Sequence, residues 1–170
     1  YNIIDSVFIG HGVGALGIAG LAITFPLMNL IVAFCVLVGV GGATISSIYM
    51  GQKDTQRATY VLHNVLLMLI FNGIMFGLVT LYFLDPILLF CGASAETLPY
   101  ARDFMGVLLL GTPITYVFIG LNNIMRATGY PQKAMISALF TVGANIIIAP
   151  IFIFVLKWGI KGAALATIIS

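Results

Sequence analysis

Long apolar segments without a formal charge are the feature that most constrains this chain. Every Lys, Arg, Asp and Glu other than Asp5 lies in one of four segments, residues 53–57, 85–103, 126–133 and 157–161. The hydrocarbon core of a bilayer is about 30 Å thick, and a helix needs roughly 20 apolar residues to cross it. The segments between the charged residues reach that length. The pattern therefore predicts an all-α, polytopic transmembrane helical bundle.

The composition excludes several other classes of protein. Charged residues make up 7% of the chain and hydrophobic residues 61%, whereas about a quarter of a soluble domain is charged. The net charge of +2 is scattered, so the clustered basic surface that nucleic-acid binding needs is not expected. Cys35 and Cys91 lack metal-ligand spacing. No HExxH, GxSxG or P-loop motif is present, so neither an enzyme nor a cofactor is expected.

Four complete and two partial helices are expected. The complete spans are predicted at residues 21–47, 60–83, 104–125 and 134–156, and the partial ones at residues 1–9 and 160–170. Pro26 predicts a bend or a later start of the first complete span, because proline lacks an amide proton. Residues 86–99 are predicted as a loop in which Ser94 or Thr97 caps the next helix. The chain opens at Tyr1 without a visible signal peptide, and we expect one domain, incomplete at both ends.

The loops alternate between the two sides of the membrane, because short connections make neighbouring spans antiparallel. The turns at residues 53–57 and 126–133 share one side and hold four Lys or Arg residues, against three on the other side. The positive-inside rule favours the first side as cytoplasmic.

Asp5 is the most conspicuous polar residue within a predicted span. A carboxylate at the centre of a membrane helix costs about 2.5 to 3.5 kcal/mol on insertion scales. It is therefore expected to face protein, water or a cation, and such a carboxyl group is able to take up a proton. The alternative is a position near the membrane surface, because Gly10 lies only about 7 Å further along a helix.

Asn145 is the second candidate, because Pro150 follows it. Pro150 cannot donate to the carbonyl oxygen of Ile146, so this turn offers a free oxygen close to the asparagine side chain. Such a site suits a cation or a polar ligand group. The alternative is a kink with an inter-helix hydrogen bond. Four further polar residues are candidates for lining an aqueous cavity or, alternatively, for inter-helix hydrogen bonds: Asn29, Thr112, Asn122 and Thr141.

Six motifs follow one another along the chain. They are NIIDSVFIG at residues 2–10, GVGGA at 39–43, GQKD at 51–54, RATGYP at 126–131, NIIIAP at 145–150 and GIKGAALAT at 159–167. In this order and spacing they resemble the multidrug and toxic compound extrusion (MATE) family of antiporters, over essentially the whole chain. The resemblance implies twelve helices in two lobes. Residues 1–170 would be a partial N-terminal lobe, from late in the family's first helix to early in its sixth.

The resemblance also implies the function. Members export small amphipathic or cationic compounds by alternating access, in exchange for protons or sodium ions, so a coupling ion takes the place of a cofactor. The chain would then be part of a monomeric, multi-pass protein of the cytoplasmic (inner) membrane. Its partners would be the lipid bilayer, the small-molecule cargo and a second lobe of the same polypeptide.

The family's ion site maps onto three positions. The resemblance implies that Asp5, Asn145 and Thr167 bind the coupling proton or a sodium ion, and no other metal is expected. Many similar members also have an acid immediately before the proline, where this chain has Ala149. One carboxylate gives a sodium ion fewer hard oxygen ligands than two. Ala149 in place of an acid therefore favours proton coupling over sodium coupling.

Two alternatives remain open at this stage. A lipid-linked oligosaccharide flippase of the same superfamily would need a basic cavity for a pyrophosphate headgroup, yet no Lys or Arg lies deep within a predicted span. A structural membrane subunit without transport activity would have no need of Asp5, Asn145 and proline-broken helices.

Overall fold

The computed structural model of the chain describes residue 6, residues 8–11 and residues 13–170. All regular secondary structure in this part of the chain is helical, which confirms the predicted all-α fold. The helices are α1 (Ala15–Gly51), α2 (Thr55–Tyr82), α3 (Leu84–Phe90), α4 (Leu98–Leu110), α5 (Thr112–Ala127), α6 (Pro131–Pro150) and α7 (Gly159–Ile169). A π-helical segment, Ile151–Val155, directly follows α6.

Three candidate membrane spans, or four if one bent pair of helices is counted as a single span, emerge from these helices. α1, α2 and the continuous segment Pro131–Val155 are each long and apolar enough to cross a bilayer. α4 and α5, interrupted only at Gly111, meet the same criterion as one broken span. The predicted number of complete spans is therefore reached when the broken pair is counted once.

The first complete span begins earlier than expected. α1 starts at Ala15 and continues through Pro26, so the predicted later start is wrong. The physical reason is that neighbouring side chains and backbone adjustments in a membrane helix compensate for the missing amide of proline. With 37 residues, α1 is about 55 Å long, which exceeds the thickness of the hydrocarbon core.

The turn between α1 and α2 shows why the second span begins where it does. Lys53 adopts a positive φ of 61°, which reverses the chain after α1. Asp54 then accepts a hydrogen bond from the amide of Arg57 at 3.0 Å, and its carboxylate lies 3.2 Å from Arg57 Nε. A carboxylate that bonds the free amides of the first turn is a preferred helix cap.

The segment between α2 and α4 departs from the predicted loop. Its first part forms α3, because Pro86 falls in the first turn of that helix, where a missing amide proton loses no helical hydrogen bond. Thr97 precedes α4 directly but does not cap it through its side chain. Its hydroxyl instead accepts a hydrogen bond from the amide of Ser94 at 2.9 Å. Of the two predicted caps, Thr97 is therefore wrong, whereas Ser94 Oγ accepts a hydrogen bond from the amide of Thr97 at 3.3 Å in the turn that leads into α4.

The chain divides into two compact units, and each is described by itself. The first unit comprises residues 1–29, 78–111 and 140–170, and the second comprises residues 30–77 and 112–139. In the first unit α4 packs on both α3 and α7. In the second unit, methyl groups added at Gly42 and Gly120 would collide with Val65 and Leu69, so the helices approach closely there. The single domain expected from the sequence stays a prediction.

Candidate functional site

Asn145 is the polar side chain that α6 buries most completely. It is 1% exposed, and within the described part of the chain neither its Oδ1 nor its Nδ2 atom has a hydrogen-bond partner. An unsatisfied buried amide costs about 1 to 3 kcal/mol, and native structures rarely tolerate one. The inter-helix hydrogen bond that the sequence left open for this residue is therefore not made with any described residue. The side chain thus has a free acceptor and free donors for an ion, a proton-carrying group or water.

The backbone beside Asn145 is irregular. α6 ends at Pro150, and the π-helical segment that follows has Leu156 N donating to Ile151 O at 3.0 Å, a spacing of five residues. Isolated π turns are frequent at functional sites. Ala149, which takes the position where the resemblance implies an acid in many members, is fully buried. The predicted break near Pro150 is therefore present, one turn beyond Asn145.

Asp5 lies outside the described residues, but the segment after it is placed. The ring of Phe8 contacts that of Phe154 edge to face, with centroids 6.4 Å apart and planes at 83°. Further along, a methyl group added at Gly159 would lie 3.6 Å from Val13 Cγ2. The segment that follows Asp5 therefore packs beside the irregular end of α6, within the first unit.

Thr167 and Thr141 belong to the same unit as Asn145. Thr167 lies on α7 and donates its hydroxyl to Ala163 O at 3.0 Å. No hydrogen bond joins Thr167 to Asn145, because the asparagine has no partner among the described residues. Thr141 is half-buried and precedes Asn145 by four residues on α6, so both side chains lie on one side of that helix. Asn29, also in this unit, is exposed.

The remaining two candidates belong to the second unit and are packed. Asn122 donates its amide to Ala134 O at 2.9 Å and to Ser137 Oγ at 3.0 Å, so it joins α5 to α6. The inter-helix hydrogen bond, which the sequence left as the alternative, is the arrangement found for Asn122. Thr112 is 2% exposed at the start of α5.

The second unit also holds buried polar groups, of which the sequence did not single out Tyr116. Tyr116 is fully buried and its hydroxyl lacks a partner among the described residues, as does Nδ2 of Asn123. The Cys35 thiol donates to Tyr116 O over 3.5 Å. A tyrosine within an apolar span is ordinarily part of the packed core, so the sequence contains no signal that distinguishes Tyr116. Among the described residues, no three His, Cys, Asp or Glu side chains cluster in a way that would hold a metal ion.

Comparison with known proteins identifies the family. The family model MatE matches residues 1–151. The multidrug export protein MepA of Staphylococcus haemolyticus is 38% identical over 170 residues, which cover 100% of this chain and 38% of that protein. The chain thus spans about 38% of the length of this curated relative.

Solved structures agree with the sequence match. An inward-facing multidrug resistance MATE family transporter of the MOP superfamily superposes with a TM-score of 0.93 at 30% identity, over 99% of this chain and 38% of that chain. An outward-facing transporter of the same description gives 0.92 at 29% identity, over 99% and 37%. The resemblance seen in the sequence motifs is thereby confirmed. The chain belongs to the MatE family, and it is part of a multi-pass membrane protein whose relatives are multidrug transporters.

Proposed function

We propose that the chain is the N-terminal lobe of a cation-coupled antiporter that exports small amphipathic or cationic compounds by alternating access. The observation that carries the proposal is the buried amide of Asn145, which has no partner among the described residues and lies beside the break at Pro150. The multidrug export relatives support the class of cargo. The inward-facing and outward-facing relatives support two conformations. The whole protein would be a monomer in the cytoplasmic membrane, completed by a second lobe.

A free amide suits both protonation states of a carboxyl group. Nδ2 of Asn145 donates to a carboxylate, and Oδ1 accepts from a protonated carboxylic acid. The partner we propose is Asp5, because the segment that follows it packs against the π-helical segment through Phe8 and Phe154. Protonation removes the charge of Asp5. The two conformations then differ in their affinity for a proton, which is the condition for coupling.

The coupling ion we propose is the proton. Hard cations are bound by several oxygen ligands, and carboxylates are the strongest of these. Ala149 is fully buried and supplies none at the position where many members have an acid. Thr167 and Asn145 would then orient the carboxyl group of Asp5, and neither would complete a sodium shell.

Transport by the full-length protein in proteoliposomes tests the proposal. Export of a fluorescent cationic dye should follow an imposed pH gradient and should not respond to a sodium gradient alone. Asp5→Asn should abolish the response, because an amide cannot exchange a proton at this position. Asn64→Ala, at an exposed site on α2, is the matched control and should transport normally. Undiminished gradient-driven export by Asp5→Asn would reject the role of this residue.

A further inference from the structure

A cavity of about 460 Å³ opens in the first unit, and Asn145 is not among its lining residues. It is lined by the end of α2, by α3, by one side of α4 from Arg102 to Leu110 and by the start of α7. Its volume falls within the range of about 300 to 1,000 Å³ that is usual for small-molecule sites. None of its lining residues belongs to the proposed ion site, so it requires a separate explanation.

Two ion pairs line this cavity. Arg102 Nε lies 3.4 Å from Asp85 Oδ1, and Lys161 Nζ lies 3.2 Å from Asp103 Oδ1. The four side chains are between 44% and 64% exposed, so a ligand has access to them. Their charges cancel. A ligand that fits this set of charges carries both a negative and a positive group.

The ion pairs leave most of their hydrogen-bonding capacity unused. Each cation contacts one carboxylate oxygen among the described residues, whereas a guanidinium has five N–H donors and an ammonium three. Asp85 Oδ1 is buried and receives no hydrogen bond despite its proximity to Arg102. The cavity therefore offers free donors suited to a phosphate, and the exposed parts of the Asp85 and Asp103 carboxylates offer acceptors suited to an ammonium group.

The cavity is also polar at one end and apolar at the other. Along α4 its lining runs from Arg102 and Asp103 through Gly106 and Val107 to Leu110. The distance from Asp103 to Leu110 along the helix is about 10 Å. Leu110 is 72% exposed. Since the charged end coincides with the ends of membrane spans, the polar part lies at the level of the lipid headgroups and the apolar part lies deeper.

We propose that this cavity binds a phospholipid whose headgroup combines a phosphodiester with a primary ammonium, the phosphoethanolamine type. Arg102 and Lys161 donate to the phosphate oxygens, because the guanidinium fork matches phosphate geometry. Asp85 and Asp103 accept hydrogen bonds from the ammonium. An acyl chain lies along the apolar end at Leu110. A quaternary ammonium has no N–H to donate, and a glycerol headgroup has no positive charge, so both fit less well.

Gly106 offers a way to close the cavity without touching its charges. A methyl group added at Gly106 would meet nothing within 4 Å, so a larger side chain enters the open space without collision. Gly106→Leu therefore fills the site sterically. Gly41→Leu is the matched control, because Gly41 also has nothing within 4 Å and lies on α1 outside the cavity.

Native mass spectrometry of the full-length protein, released from nanodiscs of equal phosphatidylethanolamine, phosphatidylcholine and phosphatidylglycerol, tests the proposal. Retention of phosphatidylethanolamine should exceed that of the other two lipids. Arg102→Gln and Gly106→Leu should each reduce it by about tenfold. Lys157→Gln, which removes a basic residue near α7 but outside the cavity, should leave it unchanged, as should Gly41→Leu.

Several results would overturn the assignment. If the three lipids are retained equally, the site has no headgroup preference. If Gly106→Leu retains as much phosphatidylethanolamine as the unmodified protein, the lipid binds outside this cavity. Soluble glycerophosphoethanolamine that binds as tightly as the lipid would make the ligand a soluble phosphate compound and not a membrane component. The thermal unfolding midpoint of each variant checks its fold, and Arg102→Gln decides the outcome if Gly106→Leu does not fold.

Discussion

Two asparagines buried in the spans differ in what surrounds their amides. Asn122 bonds the backbone of Ala134 and the hydroxyl of Ser137, whereas Asn145 bonds no described residue. Loss of a satisfied amide removes favourable hydrogen bonds, while loss of an unsatisfied one removes a penalty. Replacing Asn145 by an apolar residue should therefore stabilise the protein and reduce its activity. Replacing Asn122 in the same way should destabilise the protein.

Asn145→Leu should raise the thermal unfolding midpoint of the full-length protein, because leucine has the same branching and no polar group to leave unpaired. The expected gain is up to about 1 to 3 kcal/mol in the free energy of unfolding. Gradient-driven dye export should fall at the same time, since the proposed partner of Asp5 is lost. The measurements are unfolding in detergent and export from proteoliposomes.

Asn122→Leu should lower the stability of the full-length protein. It removes two hydrogen bonds between α5 and α6 and should cost about 1 to 3 kcal/mol in the free energy of unfolding. Equal destabilisation by the two substitutions would contradict the view that the amide of Asn145 is held ready for a ligand.

The sequence identified both asparagines but could not distinguish their roles. Each stands in an apolar span, and the partners of Asn122 lie 12 and 15 residues further along the chain. Only the folded arrangement brings these partners to the amide of Asn122 and leaves the amide of Asn145 without a partner among the described residues. The carboxyl group of Asp5 was recognisable because charge within a span is rare, which needs no knowledge of its neighbours.

At the scale of the element, glycines set how closely the helices of the second unit approach. A methyl group added at Gly73 would lie 2.7 Å from the Cα atom of Pro113, so α2 and α5 meet with backbone close to backbone. Gly73→Ala should therefore lower the free energy of unfolding by about 1 to 3 kcal/mol, since backbone cannot shift cheaply. Thermal unfolding of the full-length protein measures the change.

Gly41→Ala provides the comparison for that prediction. Nothing lies within 4 Å of an added methyl group at Gly41. Alanine in place of glycine within a helix stabilises it by up to about 1 kcal/mol. A similar loss of stability in both variants would mean that the close approach at Gly73 is not the cause.

Pro150 should maintain the irregular end of α6. Pro150→Ala restores an amide donor to the Ile146 carbonyl and should raise the free energy of unfolding by up to about 3 kcal/mol. Transport should slow, because the turn beside Asn145 becomes regular. Pro131→Ala is the control. Pro131 is the first residue of α6, where a missing amide costs nothing, so its replacement should change neither quantity.

The lengths of the helices could be predicted where they depend on an uninterrupted apolar segment. They could not be predicted where a proline interrupts that segment. The lengths of α2 and of the Pro131–Val155 segment follow from uninterrupted apolar residues. Proline has three outcomes here. Pro26 is accommodated within α1, Pro86 lies in the first turn of α3, and Pro150 precedes a π-helical segment. Its local effect depends on which carbonyl loses a donor and what replaces that donor, and sequence spacing does not contain this information.

At the scale of the whole molecule, the distribution of basic residues predicts the orientation in the membrane. Gln52 and Glu96 are exposed turn residues, and the alternation of the predicted spans is expected to put their turns on opposite sides of the membrane. In a background with Cys91→Ser, a membrane-impermeant maleimide should label Glu96→Cys in intact cells. Gln52→Cys should react only after permeabilisation, because the positive-inside rule keeps its turn in the cytoplasm. Labelling in the opposite order would invert the proposed topology.

The family could be recognised from this chain alone, whereas its complete transport pathway could not. Six motifs in order were sufficient to indicate the fold, and the solved relatives match 99% of the chain. The same relatives are longer, and the chain covers 38% of that inward-facing chain. In the proposed two-lobe transporter, a pathway between the lobes would require the residues of both, so cargo specificity would belong to the whole protein and not to these residues by themselves.

The hydrogen bonds of Asn122 also bear on how the chain enters the membrane. They join α5 to α6 across a tight turn at Gly129, with partners no more than 15 residues apart. Contacts of such short separation form early, because little chain entropy is lost in closing them. The two helices are consequently able to leave the translocon as one preassembled hairpin. Ribosome-bound nascent chains truncated beyond α6 would then already hold this pairing before α7 is synthesised.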